Sequence, residues 1–216
     1  MGFITVIDHP QHGLIGGYLV LNQAGRPLEF HCTNPIRPSK TQEILFGVAL
    51  EPFLYGEQIA RTLVSKSKLR VVVILTNLVS VLAMKGLVNF PVAYIFDNLL
   101  FNTNDESNKQ NETIPNKFIS NELNESLRSF GIEKNNLQVN YSSDNNDNYA
   151  VPQVVGLDVE YWQSYTVGNR TIAIPGKQSE EREQLVGNLK VIAHNVDLLE
   201  PFTRIKLAIA ETHNYS

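Results

Sequence analysis

A chain of 216 residues, 43% hydrophobic and 19% charged, is long enough for one sizeable core and too short for a second large domain. Its formal net charge is -4, and residues 101–150 hold 8 Asp and Glu against 4 Lys and Arg, which leaves 14 of each sign elsewhere; the neutral remainder has no bulk charge for gripping nucleic acid or an anionic membrane. The single cysteine, Cys32, excludes an internal disulfide and an all-cysteine zinc site, so a soluble, cytoplasmic protein is expected.

Taken in order, Phe3 to Asp8 alternates and is rich in β-branched residues, and His-Pro-Gln-His-Gly breaks it. This predicts a strand and a turn. The run MGFITVIDHP has no basic stretch ahead of an apolar one, unlike a signal peptide. Leu14 to Asn22 reads as a second strand, in which Gly16 and Gly17 mark a weak point, a bulge or a close backbone approach. Pro27 to Thr33 completes a three-strand meander with loops of hairpin length. Thr41 to Phe46 is short enough for two turns of helix, stopped by Gly47. From Leu50 to Lys66, Phe53, Ile59, Ala60, Leu63 and Val64 gather on one side of a helix while Glu57, Arg61 and Lys66 face away.

Leu69 to Asn77, LRVVVILTN, carries five consecutive Val, Ile and Leu residues and leaves neither face polar. A strand of this kind belongs in a parallel neighbourhood with helices on both faces. Leu78 to Leu87 predicts the next helix, and Val92 to Phe96 another buried strand ending at Asp97. Right-handed crossovers give a mixed α/β sheet in the order third, second, first, fourth, fifth strand, with helices on both faces.

Residues 101–148 contain thirteen Asn and few β-branched residues, and read as an insertion, mostly loop, within a single domain spanning 1–216. A short helix is expected near 119–130, where Ile119, Leu123, Leu127 and Phe130 recur at helical spacing. Beyond it, residues 154–216 predict a hairpin turning at Gly168-Asn169. Two helices follow, with Leu185, Leu189, Ile192 and Val196 on one and Leu198, Phe202, Ile205 and Ile209 on the other; they cover the remaining sheet face.

His9, His12, His31 and Cys32 combine imidazole and thiol, a donor set that suits zinc. Strand geometry separates them: with His31 opposite Tyr18, His12 lies about 20 Å away at about 3.3 Å per residue. Adjacent strand positions point to opposite faces, so His31 and Cys32 make no nucleophile pair. No phosphate-binding Gly-Lys-Ser/Thr loop, nucleophile elbow or metalloprotease helix occurs. What remains is positional. Asp8, Asn77 and Asp97 end three strands that the topology makes parallel neighbours, and Glu51 falls at the same edge, where α/β sheets bind ligands.

A three-strand meander followed by helix, strand, helix, strand resembles the ribonuclease H-like architecture. That resemblance implies a site in which Asp8, Asp97 and Glu51 hold Mg²⁺ or Mn²⁺ for phosphodiester cleavage, although Asn77 stands where the fourth strand would need an acid. Asp and Asn at strand ends are also ordinary turn formers. The favoured expectation is therefore a non-enzymatic protein-interaction module without a cofactor, whose neutral core displays the acidic 101–148 loop and pairs through the exposed aromatic residues Tyr161, Trp162 and Tyr165. The alternative is a divalent-metal-dependent nuclease or phosphodiesterase.

Overall fold

Seven strands and a set of helices on both faces build the protein, seen here in a computed structural model that describes residues 1–96, 162–175 and 180–214. The insertion 101–148, its expected helix near 119–130, Asp97 and Tyr161 lie outside the described residues. The meander comprises β1 (Gly2–His9), β2 (Gly13–Leu21) and β3 (Pro27–Cys32). Helix α1 (Lys40–Phe46) opens with a reciprocal capping box between Ser39 and Gln42 and closes at Gly47, which satisfies its first free N–H groups. The crossover then runs through a 3₁₀ turn (Gly47–Ala49), α2 (Leu50–Pro52), a π-helix (Phe53–Ala60) and α3 (Arg61–Lys66). Strand β4 (Ile74–Thr76), a 3₁₀ helix (Val79–Leu87) and β5 (Val92–Ile95) complete the first half. The second half supplies β6 (Trp162–Val167), β7 (Arg170–Pro175), α4 (Glu180–Ala193) and α5 (Glu200–Asn214).

The sheet order is β3-β2-β1-β4-β5-β7-β6. The five-strand order expected from the crossovers is present, β4 being parallel to both β1 and β5, and the β6–β7 hairpin extends the sheet antiparallel to β5. Strand β4 is shorter than its composition predicts. Ile74 pairs with Gly2 and with Val92, the first residues of both neighbouring strands, so no ladder exists to carry residues 69–72, and Leu69 and Val72 are exposed. Its centre behaves as expected: Val73, Ile74 and Leu75 are fully buried.

Alternation along the strands divides the interior into two cores. On one side, Phe3, Leu19, Leu75 and Ile172 pack with Leu185, Leu189, Phe202, Ile205 and Ile209 of α4 and α5. On the other, Ile4, Val6, Tyr18 and Ile74 pack with Leu54, Ile59 and Leu63 of the crossover and with Leu82 and Met84 of the 3₁₀ helix. The adjacent residues Gly16 and Gly17 let both layers approach β2. A Cβ on Gly16 would overlap Ile59 Cγ2 and a Cβ on Gly17 would overlap Ile205 Cγ2. Close approach, foreseen as one of three roles for this pair, is the role that holds.

Candidate functional site

Of the expected carboxylates, Asp8 lies near the end of β1 and Glu51 in the crossover helix α2. Gly56 of the π-helix has no room for a side chain: a Cβ there would stand 2.7 Å from Ala83 Cβ and 2.9 Å from Ser80 O. Backbone thus meets backbone, and Ser80 is placed so that its buried hydroxyl donates to Glu51 Oε1 at 2.6 Å. One turn further on, Tyr55 is pushed to a higher pKa, first by burial and then by the negative charges of Glu51 and Asp8. Two of the three expected carboxylates therefore act on one phenol. Pro52, which has no N–H to donate, sits where the hydrogen-bond register changes from 3₁₀ through α to π.

Asp8 and Asn77 are not level. The β1–β4 ladder ends at Ile4 and Thr76, so Asn77 lies alongside Thr5, and Asp8 stands about 10 Å further along the sheet at about 3.3 Å per residue. Asp8 is exposed. Among the described residues nothing hydrogen-bonds the buried Oδ1 of Asn77, and no group of three or more His, Cys, Asp or Glu side chains could hold a metal.

The histidines are accounted for by local structure. His9 Nδ1 accepts from the backbone N–H of Gln11 at 3.2 Å and of His12 at 3.3 Å. The two rings lie against each other, 4.6 Å between centroids. His31 pairs with Tyr18 in the β2–β3 register, as expected, and Cys32 packs against the α4/α5 core. Tyr165, expected to be exposed, is half-buried against that same core, because its position on β6 faces α4; its hydroxyl donates to Gln163.

Among the described residues Glu29 gathers three hydrogen-bond donors, a cluster that sequence reasoning missed. Its carboxylate accepts from Ser67 Oγ at 2.7 Å, His31 Nε2 at 2.8 Å and the Lys68 backbone N–H at 3.1 Å. These donors, led by Ser67, hold its pKa down to about 2. A carboxylate so stabilised is a poor general base at neutral pH. The arrangement instead pins the end of α3 to β3, and Tyr18, its pKa raised to about 12 by burial, lies beneath it.

The unusual surface is on α1. None of its seven residues is buried; Ile44 is 72% and Leu45 76% exposed, and Val48 in the following turn is 54% exposed. The Phe46 ring stacks on Phe53 at 4.4 Å, which fixes this apolar tip to the crossover. No known protein family matches the chain, and no characterised protein or solved structure is significantly similar to it. Among the described residues no helix is long and apolar enough to cross a membrane.

Proposed function

We propose that the protein is a non-enzymatic interaction module that inserts the α1 tip into an apolar groove of a partner protein. The observation that supports this reading is a capped helix that buries none of its own residues while presenting Ile44, Leu45 and Val48 together. Isolated exposed apolar residues are ordinary, whereas adjoining ones rimmed by polar side chains mark contact surfaces. A standard interface buries about 800 Å² per partner, an area that a groove enclosing a short helix reaches more readily than a flat surface does.

A photo-crosslinking residue at position 44 or 48, in the native cell, should capture one discrete protein that the same probe at exposed Glu57 does not. Ile44→Ser with Leu45→Ser should abolish the adduct and change stability by no more than about 0.5 kcal/mol, since both side chains are largely exposed. Equal capture at all three positions, or a double variant destabilised by more than about 2 kcal/mol, would defeat the reading.

A second reading rests on the convergence of Asp8 and Glu51 on Tyr55: a divalent-metal phosphodiesterase, with Mg²⁺ or Mn²⁺ held at the carboxyl edge of β1. It predicts metal-dependent stabilisation that Asp8→Asn removes.

A further inference from the structure

The turn between β1 and β2 is fixed through His12. Its backbone N–H donates to His9 Nδ1 at 3.3 Å, and its carbonyl accepts from Arg37 Nε at 3.3 Å. One residue thus ties an imidazole and a guanidinium to the same turn. His9 Nδ1 also accepts from the Gln11 N–H at 3.2 Å, and a neutral ring that makes both of these bonds carries its hydrogen on Nε2, which is then a donor.

The segment that carries Arg37 is locked to the turn as well. Leu14 and Ile36 exchange both backbone hydrogen bonds at 2.8 Å, an antiparallel bridge outside the named strands. Gly13 has a φ of 91° and no room for a side chain: a Cβ there would stand 2.6 Å from Ile36 O and 2.7 Å from Arg37 Cγ. The stem of Arg37 therefore crosses bare backbone. With Nε bound to the turn, the two Nη groups of this permanent cation keep their hydrogens for another acceptor. The ion pairs among the described residues do not include Arg37. The neighbouring carboxylate, Asp8, leaves β1 on the opposite face from His9, where its charge acts on Tyr55.

We propose that His9 Nε2–H and the Arg37 guanidinium form a binding site for an oxyanion, a phosphate monoester or a carboxylate, at the β1–β2 turn. Both anions place several acceptor lone pairs on one centre, so a planar guanidinium takes two of them side by side while the imidazole N–H takes another. The imidazole need not be charged, because the neutral ring already carries the Nε2 hydrogen. Backbone hydrogen bonds hold both side chains before any ligand arrives, which lowers the ordering cost of binding. Arg37 is exposed and His9 half-buried, so water competes for both donors and the expected Kd for phosphate is on the order of 1 mM. The site is separate from the α1 tip and rests on neither functional reading.

The test uses the full chain at constant ionic strength, titrated with inorganic phosphate, with acetate, and with chloride as the control. NMR of the His9 and Arg37 side chains and of the Gln11 and His12 backbone amides reads the binding. Phosphate should give a saturable shift of these signals that chloride does not reproduce. Arg37→Gln should weaken it at least about tenfold. His9→Asn should weaken it about fivefold or more at unchanged melting temperature, because the Asn side-chain oxygen can accept the N–H groups of the turn. Saturation by acetate as tight as by phosphate assigns the site to carboxylates, and weaker acetate binding assigns it to phosphoryl groups; either supports the proposal. Shifts that do not saturate, that chloride reproduces, or that survive Arg37→Gln would overturn it. If Arg37→Gln fails to fold, undiminished binding in His9→Asn overturns it instead.

Discussion

Placing one methyl group on each of two consecutive glycines tests the central architectural statement, that β2 is wrapped on both faces at the same point. Gly17→Ala would drive a Cβ into Ile205 Cγ2, with Ile209 Cδ1 2.9 Å away; Gly16→Ala would drive one into Ile59 Cγ2, with Leu63 Cδ1 3.0 Å away. Overpacking of this kind costs about 1–3 kcal/mol. Replacing a mid-strand glycine returns about 0.5–1 kcal/mol in backbone entropy, so each variant should lose roughly 0.5–2 kcal/mol from a total of about 5–15 kcal/mol. Ile205→Ala alone should cost about 2–5 kcal/mol through the cavity it leaves. In the double variant Gly17→Ala/Ile205→Ala the new methyl enters the vacated space, and the loss should fall short of the sum by about 0.5–3 kcal/mol. Gly17→Ala combined with Ile59→Ala, on the opposite face, should be additive within about 0.5 kcal/mol. Urea unfolding of the parent, the four single variants (Ile59→Ala included) and the two double variants, compared at constant slope, reads these differences directly. Coupling of Gly17 to Ile59 as strong as to Ile205, or to neither, would show that the two glycines do not face opposite layers.

Three further outcomes follow from the same geometry. Glu29 has a folded pKa of about 2, below its unfolded value, so between roughly pH 4.5 and 2 the unfolded state binds more protons and stability must fall as the pH falls; Glu29→Gln should flatten that part of a pH–stability curve. Val73→Asp and Ile74→Asp should each prevent folding, read as loss of the cooperative thermal transition, because the two side chains are fully buried in different cores and an unpaired carboxylate costs several kcal/mol in either. Millimolar Mn²⁺ should leave the melting temperature unchanged if the interaction reading is right, whereas a rise that vanishes in Asp8→Asn would move the phosphodiesterase reading ahead of it.

Hydrophobic spacing made most of the scaffold legible. Leu185, Leu189, Ile192, Phe202, Ile205 and Ile209 are buried as their helical periodicity implies, and the strand order of the first five strands follows from crossover handedness. Features set by contacts between distant residues were not legible. Composition alone does not reveal that residues 53–60 wind as a π-helix, nor that Gly56 meets the backbone of the 3₁₀ helix. Nor does it show how far β4 extends, which the starts of its neighbours determine. Glu29 looked like any polar residue on an edge strand, because Ser67 and Lys68 lie 38 and 39 positions away.

The candidate site divides along the same line. Topology alone led to the expectation that Asp8 and Glu51 share one edge; in the structure the negative charges of both raise the Tyr55 pKa, after burial. Their distance from the end of β4 required register, which strand composition does not encode: β1 runs on through His9 after its pairing with β4 has stopped at Ile4. That overrun carries Asp8 past Asn77 into solvent. A side chain so exposed gains little from an ion-pair partner. Asp8→Asn is therefore a sharp discriminator: almost silent for a surface carboxylate, but decisive for one that holds a cation.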